Sequence, residues 1–368
     1  MAAPIPRHIH SSKPHFQWSR DLEPVLRVAS GSEVTLDLRD GGNNQIRPDN
    51  IATAMSSFDA SQADPAIGPI YVEGCEPGDV LKVEILELTP GDYGWTGIFP
   101  GFGLLADEFT EAAVPDAAQR VKLWDLTAAG CITAGSSSSG GRRAVFKPGV
   151  SVPIRPFLGV LGVAPAGAEA LSTLAPHPRI GGNLDCRHLV AGAAVYFSAQ
   201  VAGALLSAGD GHAAQGDGEV CGTAIETPMR ARLRLTVEKR GGDGGGKGKK
   251  KLGSLLLTSP HVLAPPDPID AEELASGGRY VALGVGPDPR EAAREAVRGL
   301  LGWLEADKGL SRPEAYMLAS VAASLALAEV VDMPNYCVSC SIPLRTFEEW
   351  RLAQRLPEME AALRPLQG

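Results

Sequence analysis

Aromatic side chains are scarce in this sequence of 368 residues, where Phe, Trp and Tyr together make up 5%. That excludes a core built on large rings and leaves packing to aliphatic and small residues. Basic residues are in the minority, 34 Lys and Arg against 43 Asp and Glu, for a net charge of −9. A general nucleic-acid binder presents positive charge, so DNA and RNA are excluded as primary partners. Cysteine is too sparse for a disulfide framework, with six in the whole chain and Cys75, Cys131, Cys186 and Cys221 widely scattered. Reduced thiols in a cytoplasmic setting are the expectation. Long apolar runs are missing too. The longest, Met317 to Val331, is rich in Ala and Ser and contains Glu329, whereas a membrane span needs about 20 apolar residues. The start of the chain, MAAPIPRHIHSSKPHF, has no apolar stretch of the secretory kind. These absences lead to a soluble cytoplasmic protein with no membrane partner as the expectation.

What is abundant is glycine (43) and proline (29), in a chain that is 44% apolar. Many turns between short strands follow from that mix. Glu33 to Leu38 alternates apolar and polar residues, and Val80 to Leu88 follows the turn-forming Glu76-Pro77-Gly78-Asp79. The clearest strand is Arg230 to Glu238. Ala231, Leu233, Leu235 and Val237 share one face, with Arg230, Arg232, Arg234 and Glu238 on the other. Phe157 to Val163 and Ala193 to Gln200 are further strand candidates. Helical spacing appears late. Pro289 to Asp307 reads as a helix with Asp288 as N-cap, Arg312 to Val330 as a second, and Thr346 onward as a third, interrupted near Pro357. Ser136 to Arg143 and Gly241 to Lys251 read as flexible loops. The predicted fold is mainly β with added helices: a β-sandwich or jelly-roll-like body with C-terminal helical elements. In domain terms, residues 1–240 form a β-rich body carrying the candidate site, 241–251 a Gly/Lys-rich loop, and 252–368 a β/α part packed on that body.

Chemistry-bearing residues concentrate in GDGHAAQGDGEVCGTAIE, Gly209 to Glu226, which brings Asp210, His212, Asp217, Glu219 and Glu226 close together in sequence. The glycines among them permit sharp turns, so that several polar side chains can converge from a short segment. Carboxylates with an imidazole are donors suited to zinc or another divalent ion; a turn-rich loop with no ligand is the alternative. The spacing is not that of an EF-hand. A second segment, RIGGNLDCRHL, adds Asp185 and His188, the latter reading more readily as a packed histidine than as a ligand. In a third, WTGIFPGFGLLADE, Trp95, Phe99 and Phe102 lie among glycines ahead of Asp107 and Glu108, a pattern that fits the wall of a small apolar pocket with polar ends or, equally, plain core packing of the aromatics. Two further patterns read as inert. Cys337-x-x-Cys340 lacks the second ligand pair of a zinc site, and the serines of Ser136 to Gly141 lack a positioned base.

In sum of motifs, the chain resembles the acetamidase/formamidase family. The match is carried most specifically by Ser207 to Met229, SAGDGHAAQGDGEVCGTAIETPM. Gly68 to Asp79, Pro100 to Phe109, Pro178 to Leu189 and His15-Phe16-x-Trp18 support it in the same order along the chain. The resemblance implies hydrolysis of formamide or acetamide to acid and ammonia, a β-sandwich-based fold, homo-oligomers and a bound divalent metal, zinc first and calcium second. It carries over Asp185, His212 and Glu219 as metal-site residues, with Glu226, Asp210 and Asp217 as the candidates for proton handling. Trp95 and Phe102 would flank the substrate. The Gly/Lys-rich tract at 241–251 departs from what is expected of bacterial members. Two other readings stay open: a lactam-opening amidase of the same family, and a non-catalytic β-sandwich binding protein stabilised by a metal.

Overall fold

The computed structural model describes residues 7–133, 141–240, 257–266 and 277–347. The alternating pattern of Arg230 to Glu238 sets the architecture. Met229–Glu238 is a central strand whose Ala231, Leu233 and Leu235 are fully buried. On its outer face Arg230 pairs with Asp37 at 2.8 Å and Arg232 with Glu33 at 3.1 Å. Its antiparallel neighbours are Ser32–Leu38 and Val80–Pro90. The sheet continues through Ala194–Ser198, His261–Ala264, Arg279–Gly286 and Tyr336–Pro343 to an edge at Ser324–Glu329, with Arg7–Ile9 at the other edge, nine strands in all. A second sheet of six strands runs Pro176–His177, Gly181–Asn183, Phe157–Gly162, Leu206–His212, Ala66–Glu73, Leu26–Ala29.

The two sheets share one hydrophobic core. Val34, Leu36, Val83, Ile85 and Leu233 of the first pack with Ile67, Ile70, Val160, Leu161 and Leu206 of the second. This is a sandwich, held mainly by aliphatic side chains as the composition requires. Among the described residues three helices are added: α1 (Ile51–Ser57), α2 (Pro289–Lys308) and α3 (Arg312–Ala322). In α2, Asp288 caps the first turn by accepting from the Glu291 amide at 2.8 Å. The buried face of α2 sets Trp303 on Tyr280, rings stacked with centroids 3.8 Å apart. None of the helices in the described residues is long and apolar enough to cross a membrane.

One expected helix is corrected. The segment Arg312 to Val330 is helical only as far as Ala322; Ser324–Glu329 is a strand. Ala, Ser and Leu favour a helix locally. Antiparallel pairing with Tyr336–Pro343 supplies the backbone hydrogen bonds instead, and tertiary context overrides propensity. The switch matters for the site, because the strand ends in the buried Glu329 and delivers Asp332 just after it. In the polar segment 136–143, Arg142 and Arg143 belong to the strand Arg142–Lys147. Residues 136–140 of that segment, the tract 241–251 and nearly all of the third expected helix lie outside the described residues.

Candidate active site

The site forms where the six-stranded sheet ends. Asp210 and His212 sit two apart on Leu206–His212, so their side chains leave the strand on the same face. Backbone bridges tie Glu226 to both Trp95 and His212, which places its carboxyl beside the imidazole. His212 Nε2 lies 2.8 Å from Asp210 Oδ2, 3.3 Å from Glu226 Oε2 and 4.0 Å from Glu219 Oε1. Its other nitrogen, Nδ1, is 2.8 Å from Gln215 Oε1. The amide nitrogen of Gln215 donates to the backbone oxygens of Asp185 at 2.9 Å and Ala328 at 3.3 Å. Gln215 Oε1 is therefore the acceptor and Nδ1 carries a proton; Nε2 is turned toward Asp210, Glu226 and Glu219, while Asp185 Oδ1 lies 3.7 Å from Nδ1. A metal-ligating histidine needs this kind of support from its far nitrogen.

Of the eight residues singled out from the sequence, Asp185, Asp210, His212, Glu219 and Glu226 converge and are almost fully buried. Trp95 and Phe102 line the adjoining cavity. Asp217 does not join them. It is exposed and faces Arg187 at 3.5 Å, on the wall of a neighbouring cavity of about 460 Å³. Gly218, at φ +94°, reverses the chain between Asp217 and Glu219 and sends the two acids to different places. His188 is buried, and burial, with Arg155, Arg187 and Arg279 nearby, lowers its pKa to about 3. It is a neutral packed histidine outside the cluster. Asp107 and Glu108 are exposed. Cys337 and Cys340 are buried, and burial holds both thiols protonated, Cys340 up at about 11.

Three acids of the cluster come from elsewhere in the chain. Asp40 follows the strand Ser32–Leu38, Asp64 precedes Ala66–Glu73, and Asp332 follows Ser324–Glu329. Glu329 Oε2 accepts from the Val331 amide at 2.9 Å and the Asp332 amide at 3.0 Å, and so shapes the turn that presents Asp332. Each is an isolated Asp next to Gly, Pro or Met in sequence; only Asp332 adjoins a segment read above, directly following the apolar run Met317 to Val331. Backbone strain marks the group. Asp64, Asp185, Asp210 and Glu219 all take positive φ, between 40° and 50°, among only nine such non-glycine residues in the described chain. Each costs about 1–3 kcal/mol and persists where the surroundings enforce it, typically at functional sites.

Burial dominates the electrostatics. It pushes Glu226 up to about 8, with the charge of Asp210 adding to it, and Asp185 up to about 6. Asp40 is raised to about 7, and Asp64, Glu219 and Asp332 well above the carboxylate range, again by burial first. Burial alone would discharge His212, but Asp210 and Glu226 outweigh it and hold the imidazole cationic. Both carboxyl oxygens of Asp185, Oδ1 of Asp210 and Oε2 of Glu226 are buried with no hydrogen-bond partner. Buried charge without partners costs several kcal/mol per group unless a proton or cation compensates. Orphaned oxygens beside an oriented imidazole fit a divalent cation. Asp185, Asp210 and His212 offer one donor atom each within 4.8 Å of one another, as do His212, Glu219 and Glu226.

Glycines let the acids approach. A Cβ on Gly159 would lie 2.2 Å from Asp210 Oδ2 and 2.6 Å from Asp185 Oδ1. A single methyl there must displace two site carboxylates. We expect Gly159→Ala to lower the melting temperature, in line with a cost of about 1–3 kcal/mol for overpacking, and to weaken metal uptake. Wild-type melting and metal content would show that the carboxylates can give way.

The cavity over the cluster has a volume of about 350 Å³. Met55, Phe58, Trp95, Phe99 and Phe102 form its apolar side, and Asp64, Asp210, Glu219, Glu226 and Asp332 its acidic side. Phe58 and Phe99 pack with ring centroids 4.6 Å apart, and Trp95 meets Phe99 edge-on.

Comparison with known proteins identifies the family. The Acetamidase/Formamidase family profile matches residues 5–168 and 166–349, nearly the whole chain. The chain belongs to the acetamidase/formamidase family. It is 28% identical to a formamidase of Methylophilus methylotrophus over 91% of this chain and 89% of the relative. A crystal structure of an acetamidase from Bacillus halodurans superposes with a TM-score of 0.74 at 26% identity, covering 93% of this chain and 99% of the other. A gamma lactamase from Delftia acidovorans shares the fold at a TM-score of 0.57 and 23% identity, over 91% of this chain and 89% of the other. The protein is an amidohydrolase.

Proposed function

We propose that this amidohydrolase cleaves small, uncharged linear amides, formamide first, to carboxylate and ammonia, using water activated at a divalent cation. One observation carries the reading: an aromatic cavity wall faces buried, unpartnered carboxylates gathered around an oriented histidine. Amides resist hydrolysis because resonance weakens the carbonyl as an electrophile and the amine leaves poorly. A site must polarise the carbonyl, deliver hydroxide and protonate nitrogen.

Asp185, Asp210 and His212, with Glu219 alongside, would hold the cation. Asp210 belongs with the holders rather than the proton carriers because of its 2.8 Å approach to His212 Nε2. Zinc, the first choice for a nitrogen-containing donor set, supplies a positive charge that brings the pKa of a bound water to about 7 and polarises a carbonyl oxygen; calcium is the other candidate. Glu226 is the proton carrier. Its Oε1 is fixed by the Ala224 amide at 2.7 Å, while Oε2 faces the site without a hydrogen bond, 3.3 Å from His212 Nε2. A carboxyl raised to about 8 holds a proton firmly enough to return it to departing nitrogen. Trp95, Phe99 and Phe102 exclude water from the acyl side of the substrate. The protein acts in the cytoplasm as a homo-oligomer in this reading.

The test is ammonia release from formamide, acetamide, butyramide and a γ-lactam. The cavity is much larger than formamide, so we expect the longer linear amides to turn over as well. A pocket methyl or methylene is worth about 1–3 kcal/mol, so rates should differ by about 10- to 200-fold per step. Lactam opening frees no ammonia and is followed by the ring-opened product. Activity on the lactam alone would replace the linear-amide reading with the lactamase one. Stabilisation by metal without turnover of any substrate would leave a binding protein.

A further inference from the structure

We infer that the outer face of the nine-stranded sheet carries a site for one borderline divalent ion of the Zn²⁺ or Cu²⁺ kind, held by His8, His10 and Asp37, which fastens the first strand to its neighbour and takes no part in catalysis. Alternation brings the three side chains together. The strand Arg7–Ile9 pairs in parallel with Ser32–Leu38, His8 opposite Thr35 and Ile9 opposite Leu36. Leu36 is fully buried and Ile9 packs against the same core. His8 and His10, two apart, therefore turn outward with Thr35 and Asp37. One donor atom from each of His8, His10 and Asp37 lies within 4.8 Å of the other two. The two imidazole rings have centroids 4.2 Å apart.

Both rings aim at one oxygen. His8 Nε2 lies 2.8 Å and His10 Nδ1 3.2 Å from Asp37 Oδ2. Arg230 Nε donates to the other oxygen, Oδ1, at 2.8 Å, which fixes the direction of the carboxylate and leaves Oδ2 to the histidines. Two imidazole nitrogens and a carboxylate oxygen are a zinc-type donor set, and affinity for such a set is highest for Cu²⁺ among the first-row ions. A tetrahedral ion at about 2.0–2.2 Å from each donor spaces them about 3.3 Å apart, so small side-chain rotations turn the hydrogen-bonded trio into ligands. The side chains of His8 and His10 are 34% and 72% exposed, open to an ion from solution. His8 also lines a surface pocket of about 330 Å³, with room for the water that completes the shell. The consequence is mechanical. Arg7–Ile9 is a three-residue strand at the edge of its sheet, and just beyond it Arg39 Nε donates to the Ser11 carbonyl at 2.8 Å. An ion shared by His8, His10 and Asp37 adds a tie across the same two strands and stabilises the folded chain by mass action.

The experiment titrates the full chain with Cu²⁺ and counts bound imidazoles by pulsed paramagnetic resonance. The buried cluster offers a single imidazole, His212, so a two-imidazole signal reports the surface site. The wild-type chain should give that signal. His8→Asn and His10→Asn should each abolish it and weaken copper binding there by about tenfold or more, while amide turnover and the melting temperature in chelator stay at wild-type values. Zn²⁺ should raise the melting temperature of the wild-type chain by about 2 °C or more beyond its effect on the double variant. A wild-type chain without a two-imidazole signal overturns the site, as does a signal that survives in both single variants. An equal Zn²⁺-induced rise in the wild-type chain and the double variant overturns the fastening role. Loss of turnover in a variant that melts normally overturns the separation from catalysis.

Discussion

Dialysis against a strong chelator is expected to lower amide turnover at least 1,000-fold, and added zinc to restore it, because water activation and carbonyl polarisation are lost together. The same treatment should change how stability depends on pH. In the stripped chain the buried carboxyls bind protons more tightly than they do unfolded: Asp185 to about 6, Asp40 to about 7, Glu226 to about 8. His212 is also raised, held cationic by Asp210 and Glu226 against the effect of burial. Between the ordinary carboxylate range and about pH 8 the cluster thus binds more protons folded than unfolded, and its contribution to stability falls as pH rises through that window. Asp210, the one carboxyl of the cluster held below its usual range, works in the opposite sense; burial would raise it, but His212 outweighs burial. It titrates under more acidic conditions, outside the window. A bound cation replaces those protons, so the loaded chain should hold its melting temperature from pH 6 to pH 8 while the stripped chain loses several degrees. Equal melting temperatures for both forms across that range, with turnover untouched by chelation, would remove the metal from the mechanism.

The sequence made some parts of this site plain and hid others, for physical reasons. Alternation over Arg230 to Glu238 is legible because one strand face is buried and the other solvated, so each residue reports its side. His212, Glu219 and Glu226 are legible because one glycine-punctuated segment supplies all three. Asp217 looked equivalent to Glu219 from the same segment. What separates them is the turn at Gly218, a backbone property with no counterpart in residue type. Asp40, Asp64 and Asp332 were out of reach for a different reason. Each arrives singly on its own element, and a lone Asp beside Gly or Pro reads as a turn former. Only pairing across the sheets makes them neighbours. Ser324–Glu329 misled because its alanines and leucines fit a helix, while the sheet edge that recruits it lies later in the chain.

Glu226→Gln should separate proton transfer from metal binding. The amide keeps the shape of the side chain and can still use its oxygen to accept from the Ala224 amide, the contact that measures 2.7 Å in the native chain. It cannot carry a proton at Oε2, the atom 3.3 Å from His212 Nε2. General acid–base groups contribute about 10²- to 10⁴-fold, so kcat should fall by that amount. KM should change little, because the aromatic wall that receives the substrate is untouched. Zinc content should stay near the native value if Asp185, Asp210 and His212 are the principal holders. If the variant instead loses its zinc, and excess zinc restores the rate, Glu226 is a ligand. Proton transfer would then fall to another buried acid on the cavity wall, with Asp64 first in line because it converges with Asp210 and Glu226 on Gly41. There the oxygens of Asp210, Glu226 and Asp64 lie 2.7, 2.9 and 3.1 Å from the place a Cβ would take. Kinetics and metal analysis on the one variant therefore assign both roles.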